Sequence, residues 1–334
     1  MADTISVVIP NHNGGATIAR CLEAALAASY PDHEIIVVDD CSTDDSVDII
    51  SRYPCRLIRL STRSGASKAR NVGAAASRGD MIFFTDADCL LHRDTLSIAS
   101  RALKSAAPGT IIGGTYTRIP FDNTFFSRFQ SEFIHHSETR HSDRPDYVAT
   151  HAMIIDAGVF RSNSGFAEGF LPILEDVEFS HRLRRRGYKL VIDPEIQVSH
   201  IFNFSLLKSL RNALIKSRYW TLYSMLNRDL LSDSGTASVE LKTNVATYLL
   251  VAMASFSYIL TPIPLLLALI PMAIGVNLAV NRRLLRAFYR ADGWAFFSAA
   301  VSYYMLVYPL AVGLGAITGA FDYIGMRCRR RAAA

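Results

Sequence analysis

Cysteine is scarce in this chain. Its five residues, Cys21, Cys41, Cys55, Cys89 and Cys328, are odd in number and lack Cys-x-x-Cys spacing, which argues against a disulfide framework and a zinc site and for a reducing compartment. Charge is thin as well: Asp, Glu, Lys and Arg make up 19% of the 334 residues against 50% hydrophobic, and mean hydropathy is +0.19. No Gly-x-Gly-x-x-Gly follows the first apolar run, where Pro10-Asn11-His12-Asn13-Gly14-Gly15 stands instead, so a dinucleotide-dependent oxidoreductase is disfavoured. Internal repeats and low-complexity linkers are absent. The apolar stretch Ile5–Ile9 is too short for a signal peptide, which places the first domain in the cytoplasm as an expectation.

What charge there is leaves long gaps. The 39 residues between Lys242 and Arg282 carry no Asp, Glu, Lys or Arg, enough for two crossings of a hydrocarbon core about 30 Å thick with a turn at Pro262 and Pro264. A second uncharged run of 29 residues lies between Asp292 and Asp322. The expected spans are about 245–260, 263–280 and 294–320, within a membrane region 244–326 followed by a basic tail 327–334. Arginines gather at 184–186, 282–290 and 327–331, and the last two clusters flank apolar segments, where anionic headgroups are a simpler partner than nucleic acid. The positive-inside rule asks for both of these clusters in the cytoplasm although one run separates them, so either that run is re-entrant or bent near Pro309, or the tail is outside.

The first half alternates β-rich runs with helical patterns, the signature of strands crossing over through helices into a mostly parallel sheet, and the fold class is α/β. Ile5–Ile9, Ile35–Val38, Leu57–Leu60 and Met81–Phe84 read as strands, and 17–28 and 68–77 as helices. Longer strands are expected over 111–118 and 147–155, a helix over 125–137, another over 175–186, then strands 189–192 and 196–199. A basic amphipathic helix over about 206–226 suits either a membrane interface or packing on its own domain, in a segment 203–243 between a first domain, 1–202, and the spans. Two strands end in acid, at Asp39-Asp40 and at Asp86-Ala87-Asp88. Ligands of an open α/β sheet bind beyond the carboxyl ends of its strands, so both clusters are expected at one crevice.

Two carboxylates on the turn Asp86-x-Asp88 present hard oxygen ligands to Mg2+ or Mn2+, whose usual partner is phosphate oxygen; the competing reading is an acidic helix cap. Asp39 and Asp40 can accept from a nucleobase or ribose, or serve as turn residues. Glu175, Asp176 and Glu178 form a like-charged cluster able to raise one carboxylate toward a useful base, though acids also favour a helix N-terminus. Lys68 and Arg70 either meet a diphosphate or lie on a solvated helix start.

In order along the chain, Ser6-Val7-Val8-Ile9-Pro10 with Asn13, Val37-Val38-Asp39-Asp40-Cys41-Ser42-Thr43-Asp44, Lys68-Ala69-Arg70-Asn71-Val72-Gly73 and Phe84-Thr85-Asp86-Ala87-Asp88 resemble the signatures of family 2 glycosyltransferases with the GT-A fold. The likeness continues through Gly165–Phe170, Glu175-Asp176-Val177-Glu178 with Arg182 and Gly187, and Val198-Ser199-His200, covering about 4–200. It implies a mixed, Rossmann-like sheet flanked by helices and an inverting transfer from a nucleotide diphosphate sugar. In that family Asp40 recognises the base with Asp39 beside it, Asp86 and Asp88 handle ribose and metal, His200 is a further metal ligand or a structural histidine, and the Glu175-Asp176 pair lies at the acceptor. Asp176 is the expected general base. Pro10, Asn13, Lys68, Arg70 and Ala87 complete the expected nucleotide-sugar contacts.

The chain departs from the family at Ala167, where Asp is common, and at Thr150-His151, where small residues are frequent. No Gln-x-x-Arg-Trp is present, and Arg218-Tyr219-Trp220 only echoes it, which favours single-sugar transfer. The resemblance and the membrane pattern together imply a multi-pass protein of the inner, cytoplasmic membrane acting on a lipid-linked or polysaccharide acceptor. A membrane-tethered nucleotide-sugar binding subunit without turnover is the alternative.

Overall fold

Apolar runs without alternation form strands only where both faces of the sheet are covered. The computed structural model shows this at once: Ile5, Val7, Val8 and Ile9 on adjacent positions of one strand are all fully buried. The structure describes residues 3–169 and 171–332. Phe170, which ends the Gly165–Phe170 run, and Ala333 and Ala334 of the basic tail lie outside the described residues. The chain forms two compact units, one of Met1–Asn123 with Glu138–Asn203, the other of Thr124–Ser137 with Phe204–Ala334.

In the first unit, β1 (Ile5–Asn11), α1 (Ile18–Leu26), β2 (His33–Asp39), α2 (Ser46–Ile50), β3 (Arg56–Arg59), α3 (Ala66–Ala76) and β4 (Met81–Phe84) build four parallel strands in the order β3-β2-β1-β4. Next come β5 (Cys89–Leu91), α4 (Thr95–Ser105), β6 (Ile111–Tyr116) and α5 (Phe125–Thr139), most of which belongs to the second unit. β7 (Met153–Asp156), α6 (Ala157–Ser162), α7 (Glu175–Arg185) and β8 (Leu190–His200) complete it. The full order is β3-β2-β1-β4-β7-β6-β8-β5, with β7 antiparallel to β4 and β6, and β5 antiparallel to β8. The mixed sheet with flanking helices is the one the resemblance implies. Phe84, Phe160, Phe166 and Phe179 pack ring to ring in the larger core, while Ile36, Val38 and Ala69 form a smaller cluster that joins α3 to the same face of the sheet.

Two strand expectations change. The run 147–155 yields strand only from Met153, because the Val148 N–H goes to Ser180 Oγ and Thr150–Ala152 closes a tight turn. The runs 189–192 and 196–199 are one strand, β8, whose register against β6 shifts between Gly113 and Thr115.

The second unit contains α5, α8 (Leu206–Asn227), α9 (Val239–Leu260), α10 (Pro264–Ser302) and α11 (Tyr308–Ala332). Thr261-Pro262-Ile263 form the expected turn between α9 and α10. The third apolar run does not make a plain helix. α10 breaks at Asp292 and at Gly293, whose φ of +67° lies in the left-handed region. A wider turn, Tyr303–Val307, then precedes α11. Its cause is Pro309, which has no N–H to offer the turn before it, while the Tyr308 N–H reaches back five residues to the Tyr303 carbonyl. Asn244 of α9 donates its Nδ2 to the Tyr304 carbonyl at 2.7 Å.

Candidate active site

Register sets the site. Asn11 pairs with Asp39 and Val8 with Phe84, so β1, β2 and β4 end on one edge of the sheet. A Cβ added at Gly14 would fall 2.3 Å from Asn11 Oδ1 and 3.6 Å from the Ala87 Cβ, which shows how closely the loop after β1 meets the Asp86-Ala87-Asp88 loop. Pro10 is half-buried. Asp39 is buried and accepts from Asn11 Nδ2 at 2.8 Å and Ser42 Oγ at 2.5 Å. Asp40, also buried, accepts the backbone N–H groups of Ser64 at 2.6 Å and Gly65 at 2.8 Å and so shapes the entry to α3. Asn13 Oδ1 accepts the Thr43 N–H at 2.8 Å, which ties the loops after β1 and β2 together.

Arg70 joins what the sequence kept apart. Its buried guanidinium donates to Asp86 at 2.5 Å and to Glu175 at 2.5 Å, tying the end of β4 to the first turn of α7. Asn71, next along α3, accepts the Phe166 N–H at 2.9 Å and donates to the Phe166 carbonyl at 2.8 Å, while half-exposed Lys68 pairs with Glu168 at 3.1 Å. The α3 motif therefore grips the 165–168 loop and α7.

Asp88 reaches His200 by a different route. The Cys89 N–H bonds the Asp86 carbonyl at 3.0 Å to close the turn, and β5 then pairs with β8 so that Cys89 faces His200. His200 Nε2 lies 3.4 Å from Asp88 Oδ1, and the ring stacks on Phe202 at 3.9 Å. Ligand atoms of Asp88, Cys89 and His200 lie within 4.8 Å of one another. A carboxylate and an imidazole at that spacing fit a divalent cation of the Mn2+ type. The structure brings Asp88 and His200 together but engages Asp86 with Arg70.

Charge is finely divided here. Burial works to raise the Asp86 carboxyl, yet Arg70 first, then His151 and His200, hold it below the ordinary range. Loss of water and the adjacent Asp86 charge push Asp88 up to about 7. Burial, followed by the charge of Glu175, pushes Asp176 up to about 7. Its Oδ2 accepts the Thr150 N–H at 3.4 Å, which places the carboxylate beside the turn before β7.

Sequence reasoning noted His151 only as a departure. It is buried, stacked on Tyr116 at 4.0 Å and 3.5 Å from Glu138. Burial lowers its basicity, but Glu138, Asp86 and Asp176 outweigh that and raise it. No motif marks Glu138 or Tyr116, because the sheet rather than any spacing brings them here.

Residues 6–163 match the family described as glycosyl transferase family 2. Glycosyltransferase GlyG of Streptococcus pneumoniae is 29% identical over 131 residues, 38% of this chain and 44% of that protein. The poly(ribitol-phosphate) beta-N-acetylglucosaminyltransferase TarS of Staphylococcus aureus is 33% identical over 102 residues, 28% of this chain and 18% of its own length. The chain thus spans less than half the length of these curated relatives. Among solved structures, the mannosyltransferase PcManGT of Pyrobaculum calidifontis, in complex with GDP-Man and Mn2+, is similar in fold, with TM-score 0.58, 17% identity and coverage of 97% of this chain and 88% of that one. Residues 6–163 thus match a glycosyl transferase family 2 domain, and the sheet order is that of the GT-A fold.

Proposed function

We propose that the chain transfers a single sugar from a nucleotide diphosphate sugar to a hydroxyl of a lipid-linked or polysaccharide acceptor, inverting the anomeric carbon. The observation that carries this reading is the Arg70 bridge, which fastens the Asp86-Ala87-Asp88 loop to the helix that begins with Glu175 and Asp176. Pro10, Asn13, Asp39 and Asp40 wall the nucleoside end, and Asp86 with Ala87 borders the ribose and diphosphate. Asp176 takes the proton of the acceptor hydroxyl as its oxygen bonds the anomeric carbon and the bond to the diphosphate breaks. Its raised basicity suits that task. Glu175, engaged by Arg70, orients the turn that presents Asp176. Asp88 and His200 would hold Mg2+ or Mn2+, which when bound neutralises charge growing on the diphosphate.

α9 turns Leu249, Met253, Phe256 and Ile259 outward and is long and apolar enough to cross a bilayer. On this reading residues 1–202 are the catalytic domain on the cytoplasmic face of the inner membrane, with a multi-pass anchor behind them.

The test is nucleotide release by the purified full chain, screened against UDP-, GDP- and dTDP-sugars with a broad acceptor panel. Release should stop in excess chelator and return with Mn2+ or Mg2+. Full turnover in chelator would remove the ion from the reading, and silence across the panel would support a binding subunit instead. At saturating metal the transfer rate should rise about tenfold per pH unit below about 7 and level off above, because Asp176 must lose its proton to act. A rate that falls as pH rises through 7 would exclude it.

A further inference from the structure

The third apolar run, 294–320, leaves the orientation of the C-terminus open from sequence, and the packing of the second unit closes it. α8 and α11 run side by side in the same direction. A Cβ on Gly315 would lie 2.4 Å from the Leu214 carbonyl oxygen and one on Gly319 2.2 Å from that of Arg218, so four residues along one helix match four along the other. Ser217 Oγ donates to the Val312 carbonyl at 2.9 Å, and Arg218 pairs with Asp322 at 2.5 Å.

α9 meets the same segment differently. Asn244 bonds the Tyr304 carbonyl, and a Cβ on Gly313 would lie 3.7 Å from Val245 Cγ1. Nine residues along the Tyr304–Gly313 stretch, about 13 Å of helix, therefore advance by one residue along α9, about 1.5 Å. The segment crosses α9 steeply near its start. α9 and the first part of α10, by contrast, run antiparallel, since Asn277 bonds Asn244 at 3.0 Å and Asn281 reaches the Glu240 carbonyl at 3.4 Å.

If α9 spans the membrane, α11 and α8 lie across its axis, close to its charged end. α8 agrees: Lys208, Arg211 and Lys216 are exposed along it, and such a helix does not sit in hydrocarbon. From Leu306 in the wide turn and along α11, Leu310, Leu314, Ile317, Phe321 and Ile324 are, like Leu306, each more than half exposed at three- and four-residue intervals, one continuous stripe leading to exposed Arg327 and Arg329.

We infer that α8 and α11 lie together in the headgroup layer of an anionic cytoplasmic leaflet, the α11 stripe pressed to the acyl boundary, and that only α9 and α10 up to Asn281 cross. This rests on the membrane reading above and adds its topology. It also satisfies the positive-inside rule, because both arginine clusters, 282–290 and 327–331, come to the side from which the chain enters α8.

Cys328 gives the test, being exposed in that tail. In spheroplasts of an expressing bacterium, a membrane-impermeant polymer maleimide should shift none of the full chain at Cys328 until the membrane is permeabilised, and all of it afterwards, with C328S as the blank. In the C328S background, T261C in the turn between α9 and α10 should be labelled in intact spheroplasts. Labelling of Cys328 without permeabilisation overturns the proposal. T261C that needs permeabilisation shows that the pair α9 and α10 does not cross, which removes the membrane reading itself, whereas nucleotide release by the same variants reports on the catalytic reading separately.

Discussion

Asp176→Asn is expected to slow sugar transfer about 10²–10⁴-fold, the usual contribution of a positioned general base. Donor binding should persist, because the carboxylate belongs to the acceptor side and an amide oxygen can keep the 2.8 Å bond from the Val177 N–H, giving up only the longer one from Thr150 to the other oxygen. Isothermal titration of the nucleotide sugar beside single-turnover transfer separates the two quantities. The variant should also lose the rise in rate through pH 7. Unchanged turnover, or a donor affinity that collapses together with the rate, would assign Asp176 to something other than proton transfer.

Arg70→Met should do a different kind of damage. The guanidinium is the cation that Asp86 and Glu175 share, and removing one partner of a buried charged set costs about 3–5 kcal/mol because the partners left behind stay charged and poorly solvated. A fall of several degrees in the unfolding midpoint of the purified chain is therefore expected together with loss of transfer. Adding Glu175→Gln to Arg70→Met removes one stranded charge and should recover much of the midpoint without recovering transfer. A single variant with an unchanged midpoint would show that the bridge does not hold α7 to the end of β4.

The parallel half of the fold was legible because its information is local. Ile35–Val38 and Met81–Phe84 are short, unbroken apolar runs between turns, Ile5–Ile9 is broken only by Ser6, and each is a strand. The acidic strand ends could be read for the same reason: crossover topology sends successive parallel strands to a common edge whatever the loops contain. The antiparallel half was harder. β5 is three residues long, too short to show a period, and β8 carries Asp193, Pro194 and Glu195 in its middle, which look like a break in sequence and form a bulged stretch of one strand in space. The site divides along the same line. Asp88 and His200 were named from motifs, but that Arg70 carries Asp86 across to Glu175, 105 positions from the arginine, and that Asn71 holds the Phe166 backbone, 95 away, lies beyond any local spacing. His151 and Glu138 carry no spacing signal, and the apolar run of α11 does not reveal that it packs along α8.

The pairing of β5 with β8 has a mechanical side. Three rungs, Cys89 with His200, Leu90 with Ser199 and Leu91 with Val198, join β5 to the sheet, of which it is the outermost strand. An ion gripped by Asp88 beside that short ladder and by His200 on the other strand would work as a clasp across the hem of the sheet. Cofactor affinity and the integrity of the sheet margin then become a single property, so loosening either one loosens both.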